Sequence, residues 1–360
     1  MATTKRSQKA FDYYQALVAQ GLRLEYMCGK WLLNGEETKL TGRSGAYYKF
    51  LMILGDAWIT EKKNQEALLH LVKSMIGDPN GAWPENQILA KAREKIRLGV
   101  DPLAYPLTEK ELKIIHYLLL PKEKNGESYS FFFYGRGGSG KSTIGNIICQ
   151  LFGEGDYCAL PFACIGDKFR RSELFGKRFW YDEDIAPDWR ETWSSSFKKI
   201  ITGGKDQFEE KFQNPFDGSY RCKALFCCNK LPRFDYTDSG MLRRVLIYRK
   251  ETITERIETT EDLSIKVWSE EDLVNFAAHA LLTPIDDLEE TFRDETHKSI
   301  MEANSIGRYL KENCIFKEIS YDGYRSYCMS CGINAIFSRE NYENYVKIFL
   351  DWGIYGKEEG

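Results

Sequence analysis

The spacing of apolar positions changes partway along the chain. Phe11, Tyr14, Leu17, Val18 and Leu22 recur at helical spacing, and Ala67, Leu68, Leu71, Val72 and Met75 repeat the pattern. Between these sets Lys30–Glu36 carries an Asn34-Gly35 pair, which predicts a small hairpin. Glu109–Leu120 predicts one more helix, ended by Pro121 and followed by the charged loop Lys122–Glu127. A domain boundary is expected there, so residues 1–120 read as a mostly helical amino-terminal region. From Tyr129 the texture becomes short apolar runs alternating with helices. Tyr129–Tyr134, Phe179–Tyr181, Ala224–Cys228 and Leu242–Tyr248 are continuous runs, as expected for strands buried on both faces. The predicted class is therefore α/β with a largely parallel central sheet. Past residue 250 the chain is acidic and helical to Asp294, and Ser305–Gly360 reads as three helices.

Composition narrows the class. With 43% hydrophobic residues and only 10 prolines the chain is too apolar for disorder and too poor in proline for low complexity. Charge interrupts each apolar stretch before the ~18 residues that a membrane helix needs. Met1–Gln8 leads into a polar amphipathic segment without the apolar core of a signal peptide, so a cytoplasmic protein with no membrane partner is expected. Cys149, Cys227 and Cys228 lie inside apolar runs, where thiols behave as small buried hydrophobes. The Cys328-x-x-Cys331 pair has no second pair downstream, and Cys314 and His297 do not complete a zinc spacing. A net charge of −3 gives no global attraction for nucleic acid, so any such binding must use a local, sequestered set of cations.

The sharpest chemical signal is Gly135-Arg-Gly137-Gly138-Ser139-Gly140-Lys141-Ser142, with Thr143 next, which satisfies G-x-x-x-x-G-K-[ST]. An apolar strand run precedes it and a helical stretch follows. Glycines let backbone amides wrap phosphates, and the helix amino end adds positive potential. Lys141 would bridge the outer phosphates of ATP, and the Ser142 hydroxyl would ligate Mg²⁺. Farther on, Arg178–Asp184 is an apolar run that ends in Asp182, Glu183 and Asp184. A parallel sheet brings that end beside the phosphate loop, with Asp182 on the metal and Glu183 on the attacking water; Glu183–Asp184 is a workable alternative register. Asn229 ends a third run and is placed to report the state of the nucleotide. Arg243 and Arg244 precede Val245–Tyr248, and an arginine from a neighbouring subunit is the expected stabiliser of the transferring phosphoryl group.

The order of these pieces, with Ile201-Thr-Gly-Gly-Lys-Asp between the acidic run and the Asn229 run, resembles superfamily 3 helicases, the replicative motors of small DNA viruses, phages and plasmids. The segment Thr202–Phe216 is the discriminating one. That resemblance implies an AAA+-like P-loop NTPase core over residues 121–295, a homo-hexameric ring, ATP and Mg²⁺ as cofactors, and a hairpin from each subunit lining a channel. It assigns the grip on single-stranded DNA to Lys211 with Phe212, and more weakly to Lys205; lysine meets phosphate and the ring offers a stacking face. Ser305–Cys314 and Tyr321–Cys328 resemble the winged-helix-like carboxyl domain of phage and poxvirus-type primase-helicases, which implies a small domain over 300–360 with Cys328 as a packing position. Residues 1–110 show neither a paired-carboxylate polymerase site nor a His-hydrophobe-His nuclease motif, so they are expected to form a helical collar that helps the ring assemble. A replication primase or polymerase is then a possible separate partner. The resulting expectation is an ATP-dependent, ring-forming DNA helicase of phage, viral or mobile-element replication, in the host cytoplasm. The alternative is an AAA+-type initiator or helicase-loading ATPase that remodels complexes without unwinding.

Overall fold

The computed structural model describes residues 24–27, 30–33, 36–38, 87–99, 107–122, 128–153, 155–209, 215–251, 263, 265–313, 319–333 and 336–353. The two amino-terminal helical periodicities, Phe11–Leu22 and Ala67–Met75, lie outside these. Three short strands lie between them: β1 (Leu24–Met27), β2 (Lys30–Leu33) and β3 (Glu36–Thr38) form an antiparallel meander. Leu33 pairs with Glu36, so β2 and β3 form the antiparallel pair expected of a hairpin there, while Asn34 and Gly35 themselves lie outside the described residues. β1 was not legible beforehand, since Leu24–Met27 is too short a run to declare a period.

Helices α1 (Gln87–Arg97) and α2 (Glu109–Leu119) come next. Thr108 and Glu111 close a reciprocal capping box at the start of α2. The central sheet holds β4 (Ser130–Tyr134), β5 (Tyr157–Cys158), β6 (Phe179–Asp182), β9 (Lys223–Cys228) and β10 (Val245–Arg249). Its order is β10-β4-β9-β6-β5, and each pairing is parallel. Four of these strands match the predicted apolar runs; β5, two residues long, had no signature. Between β4 and β10 the chain also forms α3 (Lys141–Phe152), α4 (Lys168–Arg171), α5 (Ser194–Thr202), the two-stranded hairpin β7 (Lys205–Phe208) with β8 (Phe216–Ser219), and α6 (Ser239–Leu242). Helices α7 (Glu270–Leu282), α8 (Leu288–Ala303), α9 (Ser305–Asn313), α10 (Tyr321–Ser330) and α11 (Arg339–Asp351) complete the described chain. No described helix is long and apolar enough to cross a membrane.

The pleat sorts the sheet's side chains into two cores. Phe131, Phe133, Phe179, Tyr181, Leu225, Cys227 and Leu246 face a core shared with α1, α2, α3 and α7. Phe132, Trp180, Phe226, Cys228 and Ile247 face the other, shared with α5, α9, α10 and α11. The first core runs across residue 120, because Leu112, Ile115 and Leu119 of α2 pack into it. β10 is an edge strand, and α8 covers it: Ile247 N donates to Thr296 Oγ1 (2.8 Å) and Arg249 N to Glu295 Oε1 (2.5 Å). Cys149, Cys227 and Cys228 are buried free thiols, and burial pushes the first two up to about 12. Cys328 is fully buried in the carboxyl-terminal helices, whereas Cys331 is exposed.

Candidate nucleotide edge and hairpin

Parallel pairing determines which loops meet. Tyr134 pairs with Cys228, and Asp182 pairs with Phe226 two residues earlier on β9. The residues after these strands (Gly135, Asn229, Glu183 and Asp184) therefore emerge at one carboxyl edge. Gly135 N donates to Cys228 O (3.2 Å), and Ile185 N donates to Cys227 O (2.9 Å). A Cβ on Gly135 would lie 2.2 Å from Lys250 O, so the loop begins where only glycine fits. Gly138 and Gly140 both have φ of +79°, the left-handed conformation that lets the loop turn back over its own start.

Lys141 opens α3 and is buried, with its Nζ folded inward. It donates to Gly135 O (2.7 Å), Arg136 O (2.9 Å) and Asn229 Oδ1 (3.2 Å), with Ser139 Oγ at 3.4 Å. Gly140 is the N-cap and supplies no side-chain acceptor, and the first turn holds no acid. The amide donors of that turn thus meet an anion-ready end with an ammonium beside it. Nothing stands within 4 Å of a Cβ built on Gly137 or Gly138, so the cradle has open space. Ser142 and Thr143 follow, half-buried, on the same turn. These residues suit a polyphosphate.

α3 can lie this close to the sheet because of Gly145. A Cβ there would come within 2.1 Å of Tyr181 Oη on β6. The glycine is thus a packing residue that sets the height of the loop, and the motif alone gave no hint of it.

The three acids separate. Asp182 faces away from α3: its Oδ2 accepts from Phe162 N (2.5 Å) and its Oδ1 from Asp184 N (3.4 Å). Burial raises its carboxyl above the ordinary range, against those two amide donors. Glu183 and Asp184 are exposed. Asp184 Oδ1 accepts from Asn229 Nδ2 (3.5 Å), and Asn229 in turn holds Lys141. Asp184 rather than Asp182 thus reaches Asn229, which holds Lys141. The pleat accounts for Asp182, since Tyr181 points to α3 and its neighbour to the other face, whereas Asp184 lies past the end of β6, where alternation no longer governs.

Arg243 and Arg244 lie at the opposite edge. Val245 pairs with Ser130, and Arg244 O accepts from both Ser130 N and Ser130 Oγ (each 2.8 Å). The five residues of β4 set them roughly 16 Å from the loop of their own chain at strand rise. Arg244 folds back, its guanidinium donating to Gly240 O, and burial lowers its pKa, helped by Arg243. Arg243 is exposed.

The hairpin is present as an antiparallel pair, with Phe208 opposite Phe216 nearest the turn and Lys205 opposite Ser219 at the foot. Lys205 is exposed but stands at the base rather than the tip. Lys211 and Phe212 lie outside the described residues. Sequence reasoning missed what holds the hairpin. Asp206 accepts from Tyr220 Oη (2.8 Å) and Lys199 Nζ (2.9 Å), with Arg171 Nε at 3.4 Å. Burial alone would raise Asp206, yet the Lys199 ammonium, the Tyr220 hydroxyl and the Arg171 guanidinium hold it below the usual carboxylate range.

Residues 133–244, from β4 to the residue before β10, match DUF5906, described as a family of unknown function. No curated protein matches the chain. Among solved structures, the chain is similar to the apo C-terminal region of NrS-1, at 14% identity and a TM-score of 0.45, over 94% of this chain and 90% of that one. It is also similar to the X-ray structure of JCV helicase, at 13% identity and a TM-score of 0.31, over 81% and 84%. An inhibitor-bound JCV helicase gives 12% identity and a TM-score of 0.32 over 81% and 84%.

Proposed function

We propose that this protein is an ATP-driven, ring-forming DNA helicase of superfamily 3 that translocates on single-stranded DNA in phage, viral or mobile-element replication. The observation that carries the reading is the convergence of Lys141, Asn229 and Asp184 beside an uncapped helix start at one edge of a parallel sheet. Bound there with Mg²⁺, ATP supplies the anhydride whose hydrolysis drives the motor. On binding, Lys141 would exchange the Gly135 and Arg136 carbonyls for outer phosphate oxygens. The amides of Gly138–Ser142 would cradle the same phosphates. Ser142 and Glu183 would hold the metal, and Asp184, steadied by Asn229, would orient the attacking water and take its proton. This is the second of the two acid registers that the sequence leaves open; Asp182 is already engaged by the Phe162 amide.

We assign Arg243 to a neighbouring subunit's site; its exposure, its place at the far end of β4 from its own loop and the tie of Arg244 to Gly240 support the choice. That assignment requires a ring, and a ring repeats the Lys211–Phe212 tip around an axis. One or two cations per subunit then give a positive channel in a protein of net charge −3. Residues 300–360 would serve as a winged-helix-like docking domain, and the amino-terminal region as a collar.

Two variants test the reading. Lys141→Ala is expected to abolish ATP hydrolysis while the far-UV spectrum stays that of the wild type. Lys211→Ala is expected to keep basal hydrolysis but lose stimulation by single-stranded DNA and strand unwinding. If the wild type hydrolyses ATP while DNA neither stimulates it nor is unwound, the loader or remodeller reading replaces this one.

A further inference from the structure

The nucleotide edge and the hairpin are joined by an unbroken run of polar contacts within one chain. Lys141 holds Asn229, and Asn229 holds Asp184. Asp184 N reaches Asp182, and Asp182 receives the Phe162 amide at the head of the short helical turn Phe162–Gly166. The carbonyl of Ile165, in that turn, accepts from an Arg171 guanidinium nitrogen (3.1 Å), which also donates to Ser196 Oγ on α5 (3.0 Å). From its other side Arg171 Nε donates to Tyr220 Oη (3.0 Å), next to Asp206 of β7. Only 15% of the Arg171 side chain is exposed, and 11% of Asp206.

We infer that Arg171 is a positioning residue that couples occupancy of the phosphate loop to the placement of the β7–β8 hairpin. It rests on the nucleotide reading above. The physical case is that each contact depends on the one before. A phosphate that draws Lys141 away from Asn229 frees Asn229 to shift, and Asp184 with it. Asp184 and Asp182 share a hydrogen bond, so the turn that Asp182 anchors moves too. Arg171 binds that turn with one edge of its planar fork and the hairpin's foot with another. A lysine has one ammonium and cannot span both. Packing of Phe175 on Phe208 (ring centroids 4.7 Å) gives the hairpin a second, apolar attachment, and Asp206 keeps Lys199 and Tyr220, so loss of the Arg171 link alone leaves the hairpin held.

The test is amide hydrogen exchange on the full chain, with and without a non-hydrolysable ATP analogue and Mg²⁺. In the wild type the analogue is expected to slow exchange both at residues 135–142 and across the described strands of the hairpin. In Arg171→Met the loop keeps its response and the hairpin loses its own. Arg171→Lys retains a charge for Asp206 and guards against a variant that fails to fold. It is expected to melt near the wild-type temperature with the same selective loss. A hairpin response of wild-type size in Arg171→Lys overturns the coupling, as does a wild type whose loop responds while its hairpin does not. A wild-type loop that ignores the analogue is a separate failure: it removes the nucleotide site, and the coupling falls with it.

Discussion

Lys141, Asn229 and Asp184 hang from the ends of strands buried almost throughout, whereas β7 and β8 pair only with each other and stand apart from the central sheet. At the sheet edge, backbone register fixes which loops meet, and the polar contacts there centre on one side chain, Lys141. At the hairpin the order is reversed. Two short strands bring little register, and a buried carboxylate with three partners holds them to α4 and α5. The proposed function gives this difference a reason: a backbone cradle for phosphate has to be in place before its ligand arrives, because each ångström of misplacement costs rate, whereas a hairpin that moves along nucleic acid would need an attachment that can be redistributed.

The sharpest way to break that contrast is to change the acids one at a time. Glu183→Gln and Asp184→Asn are each expected to lower ATP turnover by about a hundredfold or more, the scale for losing one group that acts on developing charge. Asp182→Asn keeps an acceptor for the Phe162 amide and is expected to leave turnover within about tenfold of wild type. Steady-state hydrolysis of purified variants decides. Equal losses at Asp182 and Asp184 would return the metal to the first register.

Next in size is Gly145→Ala. Its new methyl meets the Tyr181 ring, so α3 must lift, at a cost of about 1–3 kcal/mol for overpacking. Nucleotide affinity should fall with it, because Lys141 rides on the same helix. Combined with Tyr181→Val the loss should be smaller than the sum of the two single losses, measured by chemical denaturation.

The smallest effect belongs to the hairpin. The Asp206 carboxyl is held below its ordinary value, so it binds a proton less readily folded than unfolded. Its contribution to stability is whole above the ordinary carboxylate range and drains away as pH falls through the lowered value. At neutral pH, Asp206→Asn is expected to cost about 1–2 kcal/mol, seen as faster amide exchange in β7 and β8 with basal hydrolysis unchanged.

Much of this architecture is written in short windows of sequence. Continuous apolar runs marked four of the five central strands, since a strand buried on both faces has no polar position to interrupt it. The Gly135–Ser142 loop and the β2–β3 pairing were equally plain, because their chemistry is local: for the loop, glycines where φ is positive and a lysine at a helix start. Even the existence of a hairpin before β9 was legible from its resemblance to known motors. The contacts that connect these pieces were not. Asp182 meets Phe162, Arg171 meets Tyr220 and Asp206, and Gly145 meets Tyr181, all across long stretches of chain that no periodicity links.

What the sequence determined by itself is therefore the inventory: an α/β chain, a phosphate-loop motif, three acids, two arginines and a segment carrying Lys205 and Lys211. Tertiary structure alone decided which members of each set meet. Three neighbouring acids are interchangeable on paper, but the pleat turns Asp182 to the face away from α3, and β6 ends there, so Asp184 lies past the strand and reaches Asn229. Two adjacent arginines are likewise equivalent until the turn at Gly240 claims Arg244 and leaves Arg243 in solvent. Short-range steric rules act within a few residues and can be read in order. Choices between near neighbours depend on what arrives from far along the chain, which only the folded molecule contains.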